Sequence, residues 1–254
     1  MEIAIGWPLA IGLLLLVALG AGVALWGRLP IAKAIPWAAI RAGVQLLLVS
    51  FIVGFALSHW ALAFAFVAVM FVVGVITTAG RTGIKGLQGH AAVALAMAAG
   101  AVPVLAIIFG TGTAPLTGAS IVPIAGIIVG NMMSAHTLVG RRNFQELKAR
   151  HDEYEAWLAL GFERRRAIHN VVSPTIHEAL IPALDQTRTV GLVTLPGAYI
   201  GVLLGGGSAW EAAAAQLLVL VGITAGQVCT AVAARWLSTK TWLLPPDLKA
   251  KLHA

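Results

Sequence analysis

Residues 61–80 read ALAFAFVAVMFVVGVITTAG, a stretch without one ionisable side chain, and Arg81 follows at once. An α-helix rises 1.5 Å per residue, so about 20 apolar residues cover the ~30 Å hydrocarbon core of a bilayer. The stretch has that length and offers water no polar face, so it reads as a membrane helix. Six further segments share the pattern, at roughly 5–26, 36–57, 91–110, 120–140, 176–205 and 211–237. Of the 254 residues 59% are apolar and 11% are charged, where a soluble domain has about 25% charged. Mean hydropathy is +0.90. The N-terminal MEIAIGWP carries no basic run, so the first segment reads as a retained span and not a cleaved signal.

The net charge of +7 does not imply nucleic acid, because the cations lie in the gaps between apolar spans. Arg28 and Lys33 fill the first gap, and Arg81 and Lys85 the third. Seven of the 17 Lys and Arg run from Arg141 to Arg166, and Arg235, Lys240, Lys249 and Lys251 close the chain. The alternate gaps contain none. By the positive-inside rule this predicts an all-α integral membrane protein with seven spans, N-terminus out and C-terminus in. It forms a single transmembrane domain over 1–254, with a cytoplasmic helical loop at about 141–174 between spans five and six. Only Arg41 and Arg188 fall outside the count. Cys229, the one cysteine, sits in an apolar run as a packing residue. Gly74, Gly126 and Gly130 read as close helix contacts. No internal repeat suggests a carrier built from two related halves.

Within the loop, Phe144, Leu147, His151, Tyr154 and Leu158 recur at spacings that place them on one helix face. Gly161 ends that helix as a left-handed cap, and Ser173-Pro174 closes the segment. The spacing resembles the cytoplasmic motif of ABC-transporter permeases, E-A-A, three residues, G, nine residues, I-x-L-P. Glu155, Ala156, Gly161 and Pro174 fall in register, Val171 stands for Ile, and Trp157 and Ser173 depart. Such a helix docks into a groove of a partner ATPase; Ala156 and Gly161 permit close approach, and Glu155 with Arg164, Arg165 and Arg166 supplies charge that fixes register.

RAGVQLLLVSFIVG (41–54), IAGIIVGNMMSA (124–135), ALGFERRRA (159–167) and EALIPALDQTRTVGLVTLPGAYIGVLLGG (178–206) resemble the FetB-type permease family. Its bacterial members pair with a separate ATPase and are linked to iron export, and its plant relatives to aluminium tolerance and sugar-nucleotide transport. The resemblance implies an ABC permease of the bacterial cytoplasmic (inner) membrane, working as a homodimer with two ATP-binding subunits that carry ATP and Mg. The chain itself has no Walker-type G-x-x-x-x-G-K-[ST]; GRTGIKG (80–86) lacks the spacing. An intramembrane enzyme is a weaker reading: His177-Glu178 begins like H-E-x-x-H, but Ile181 stands where the second ligand is needed. The resemblance points to a metal such as iron as the exported substrate; the other readings are an ABC permease for a metabolite such as a sugar nucleotide, with Arg41 and Arg188 as phosphate partners, and a stand-alone channel or secondary carrier.

A charged group at the centre of a span costs about 2.5–3.5 kcal/mol, so each such residue needs a reason. Arg41 and Gln45, one turn apart, either anchor the second span at the interface or face Glu178 or Asp185 in a path. Seven residues separate Glu178 from Asp185, which on one helix share a face with Arg188 close by. They form either an amphipathic entry with a local ion pair or a vestibule for a cationic substrate. The vestibule would lead past Thr187 and Thr194 to a break at Leu195-Pro196-Gly197, where proline frees a backbone carbonyl. On the fifth span, Asn131 and Ser134 suit interhelical hydrogen bonds, and Met132, Met133 and His136 suit either core packing or a soft metal ion.

Overall fold

The computed structural model describes residues 6–252; residues 1–5, where the first expected span begins, lie outside the described residues. Among these the fold is all-helical, with eleven α-helices, one 3₁₀ segment and no strand. The chain divides into two compact units, Met1–Ser58 and His59–Ala254.

The first unit holds α1 (Trp7–Trp26) and α2 (Ala34–Ser58). Pro8 sits in the first turn of α1, where a missing N–H costs nothing. Among the described residues of this unit only Ala24 and Ala32 are buried, so both helices present apolar side chains all round. Such a surface requires a hydrocarbon surrounding.

The second unit is built on four long helices, α3 (Trp60–Thr82), α4 (Gly86–Gly110), α5 (Gly118–Ala149) and α10 (Ala209–Thr239). Each is long and apolar enough to cross a membrane, as are α1 and α2, which makes six. Glycines fix their register. Gly74 meets Met97 and Met133, Gly140 meets Thr82, and Gly222 meets Val104, Ile108 and Ile128. Gly100 lies against the Thr230 hydroxyl and the Gly226 carbonyl so closely that a methyl group there would overlap both. Hence α3, α5 and α10 run in one direction and α4 in the other. Small residues that let backbones touch are the usual glue of helices in lipid, where hydrophobic burial gives no net drive. Of the three glycines expected at contacts, Gly74 and Gly126 make them, whereas Gly130 faces open space. Cys229 is exposed on α10 and does not pack.

The sixth expected span, 176–205, is not one helix. It comprises a 3₁₀ segment (Ser173–Leu180), α8 (Ile181–Thr189), an irregular stretch at 190–196 and α9 (Gly197–Leu204). Pro174, Pro182 and Pro196 each open one of the pieces, and Gly191 takes φ +82° in the turn where its N–H bonds the Thr194 carbonyl. Hydropathy sees the apolar content and not these interruptions. The segment packs on α5 and α10: Glu178 lies beside Arg142 on α5, Thr187 beside Thr224 on α10, and α9 lies against α10. Ser208 and Glu211 cap the first turn of α10 reciprocally.

The expected loop helix is likewise interrupted. At Arg150 the backbone leaves helical geometry, and α6 (His151–Ala159) starts afresh, followed by α7 (Arg164–Val172). Arg150 holds the corner by donating to the Glu153 carboxylate and the Val171 carbonyl. Leu147, Tyr154, Ile168, Val171 and Leu237 are fully buried there, joined by Leu248 of the short α11 (Pro246–Lys251).

Candidate functional site

The hairpin α6–α7 stands at the end of the second unit where its cations gather. Arg141 donates to the Arg81 carbonyl, and Lys148 pairs with Asp247 at 2.6 Å, tying the ends of α3, α5 and α11 together. Lys148 holds the Asp247 carboxyl below its usual range. Tyr154 anchors the hairpin from beneath, its hydroxyl donating to the Leu252 carbonyl at 3.0 Å, and burial pushes the phenol up from 10.0.

The residues read as a docking motif lie on the outside of this hairpin. Glu155 and Ala156 are exposed, with His151 3.8 Å from Glu155. Gly161 takes φ +85° after the end of α6, as its capping role requires, and a Cβ there would meet nothing. The corner that it forms is apolar: Leu160 is 72% exposed, and the half-buried Phe162 ring lies edge-on to Trp157 at 4.9 Å. Neither the aromatic pair nor Leu160 belonged to the expected set, although both flank its glycine. Arg164 interacts with Tyr154, while Arg165 and Arg166 turn to a groove beside α10. Pro174 is exposed at the start of the 3₁₀ segment.

The residues proposed for a path are brought together only in part. Glu178 does not share a helix with Asp185. The 3₁₀ winding between them breaks the phase, and Glu178 instead accepts from Arg142 at 2.5 Å, with Glu146 3.6 Å from the same arginine. Asp185 and Arg188 form the local ion pair at 3.5 Å, both largely exposed. Arg41 and Gln45 lie exposed on α2 within the first unit. The break at Thr194, Pro196 and Gly197 is wider than the kink that the proline implied, since the chain leaves helical geometry from Val190 to Pro196.

On α5 the metal candidates Met132 and Met133 face different partners. Met132 is buried against Gly100 and Gly226 and accepts a hydrogen bond from the Thr230 hydroxyl at 3.0 Å. Met133 packs on Gly74 of α3. His136 is buried, and neither ring nitrogen has a partner among the described residues. Asn131 bonds across helices as expected, accepting from Gln227 of α10 at 3.3 Å.

Comparison with known proteins agrees with a membrane protein of this kind. The profile of the uncharacterised protein family UPF0014 matches residues 7–243. The UPF0014 membrane protein STAR2 of Oryza sativa subsp. japonica is 30% identical over 205 residues, covering 80% of this chain and 72% of its own. The protein ALUMINUM SENSITIVE 3 of Arabidopsis thaliana is 28% identical, over 84% and 76%. The probable iron export permease protein FetB of Escherichia coli (strain K12) is 28% identical, over 76% and 74%. No solved structure matches. With its apolar helices and a match over nearly its whole length, the chain belongs to the UPF0014 family of membrane proteins.

Proposed function

We propose that this chain is the permease subunit of an ABC transporter, which forms the substrate path and is driven by ATP-binding subunits on separate polypeptides. One observation carries the reading. The α6–α7 hairpin exposes an apolar corner and Glu155 at the basic end, while its inner face is part of the main core against α5 and α10. An element exposed on one side and embedded on the other transmits a push into the helices. ATP and Mg belong to the partner in this proposal, and two copies of the chain with two ATPases make the complex.

The basic end lies in the cytoplasm on this reading, as the positive-inside rule requires. The segment 173–204 then serves as a broken seventh crossing. Support comes from the parallel course of α5 and α10, because a chain leaving α5 at one face must return to the opposite face before α10 begins. Its pieces total about 40 Å at ordinary helical rises, enough for a 30 Å core. With little of it buried, this crossing is the one that we assign to the path, through Glu178, Asp185, Arg188, Thr194, Pro196 and Gly197. A bacterial inner membrane as location, and a metal cation such as iron moved outward as substrate, are supported by the name of the Escherichia coli relative.

The test is recovery of an ATP-binding subunit with the tagged chain from native membranes. Ala156→Trp and Leu160→Asp are the variants to run beside the wild type. Both positions are exposed, so neither change disturbs the fold, whereas Gly161→Trp would also strain a backbone at φ +85°. Recovery with wild type and loss with both variants is the expected result. Failure to recover any ATPase under gentle extraction refutes the reading and leaves a stand-alone channel or carrier.

A further inference from the structure

Between α7 and the last turns of α10 lies a groove of about 380 Å³. Arg165, Arg166 and His169 line it from α7, and Arg235 and Trp236 from α10; Glu163 is its one carboxylate. Three guanidiniums face one carboxylate there. Arg141 has the Arg81 carbonyl, Arg142 has Glu178 and Glu146, and Arg150 has Glu153. Arg165, Arg166 and Arg235 have no ion pair among the described residues; Arg166 lies only over the Phe162 ring. Like charges at close quarters repel unless an anion joins them. His169 feels the excess: burial first, and then the charges of Arg235, Arg165 and Arg166, hold its imidazole below 6.5.

The surroundings say what kind of anion. Val232 and Trp236 expose apolar surface on the membrane-crossing helix directly beside the cations, and Trp236 is 43% exposed. The Lys240 ammonium sits 3.7 Å from the centre of the Trp236 ring and 5.6 Å from that of Trp242. Tryptophan with lysine at a helix end marks the level of lipid headgroups. A ligand here meets cations on one side and hydrocarbon on the other. Basic pockets beside membrane helices on the cytoplasmic side bind anionic headgroups, and a guanidinium presents paired donors to a phosphate.

We propose that this groove binds the phosphate of an anionic phospholipid, with Arg165, Arg166 and Arg235 on its oxygens and Trp236 and Val232 along the start of its acyl chains. The site joins α7, and so the exposed hairpin, to the membrane surface through a lipid. It does not depend on which substrate the protein carries or on whether an ATPase binds.

Native mass spectrometry of the purified full chain, titrated with phosphatidylglycerol or phosphatidylcholine, tests the site. Wild type binds the anionic lipid about tenfold tighter than the zwitterionic one. Arg165→Gln/Arg166→Gln/Arg235→Gln abolishes that preference, and Arg235→Lys alone keeps most of it. A second triple variant, Lys85→Gln/Lys249→Gln/Lys251→Gln, removes the same charge elsewhere and keeps the preference within about twofold, because long-range charge effects are screened. All variants first match the wild-type gel-filtration profile and helical circular dichroism. Equal loss in both triple variants, or retention in the arginine variant, overturns the proposal. Displacement of the lipid by millimolar inorganic phosphate alone overturns it in favour of a soluble phosphate.

Discussion

The contact of α4, α5 and α10 and the segment 173–204 are both helical and of opposite construction. In the first, Gly100, Gly226, Met132 and Thr230 interlock with no room for another methyl group. In the second, α8 and α9 bury no residue, and three proline-led pieces are held by the Arg142–Glu178 pair, the Thr187–Thr224 contact and packing on α10. Packing density separates a fixed wall from an element free to rearrange.

The largest effect breaks the wall. Gly100→Ala places a methyl group onto the Gly226 carbonyl and the Thr230 hydroxyl, and overpacking of this kind costs about 3 kcal/mol. Gly201→Ala in α9, where nothing lies within 4 Å, is neutral or slightly stabilising. Thermal unfolding in detergent reads both, and equal losses would abolish the distinction between the regions. Next comes Tyr154→Phe, which removes a buried hydrogen bond worth about 1 kcal/mol. Because the folded phenol titrates above 10.0, its contribution is complete below pH 10 and fades as pH rises through the raised value. The variant therefore flattens the alkaline limb of the stability profile.

Arg142→Gln and Glu178→Gln sharpen the contrast from the other side. The pair is half exposed, so either change costs only about 0.5–1 kcal/mol in global stability. Amide exchange nevertheless rises across 173–189 and stays unchanged at 97–101; uniform protection would show that the pair does not hold the segment. Asp247→Asn is the smallest. The Lys148 partner depresses the Asp247 carboxyl, so the contribution is present above the ordinary carboxylate pKa and is lost as pH falls through the depressed one. The variant is therefore slightly less stable than the wild type at neutral pH, and the two stability profiles converge at the acid end, below the depressed value.

What the sequence made legible follows the range of each interaction. The six long helices lie close to the ends of the apolar runs, and the cap at Gly161 was written locally, in a glycine after an amphipathic turn. The sixth run misled because hydropathy carries no term for Pro182 or for 3₁₀ winding, and that also undid the shared face of Glu178 and Asp185. Met132 and Met133 are adjacent in sequence and look like a pair, yet a helix turns about 100° between neighbours and sends them to different partners. The Arg142–Glu178 pair and the meeting of Arg165 with Arg235 join positions far apart along the chain, and no local pattern announces either.

At 32 residues, α5 continues from the glycine-packed bundle to the Arg150 corner as one rod about 48 Å long. Rods convert angle into distance. A tilt of about 10° around its midpoint carries each tip of such a helix through about 4 Å, more than the diameter of a water molecule. The Arg150 corner is therefore tied in lever fashion to the part of α5 that follows Pro123, the proline inside this helix.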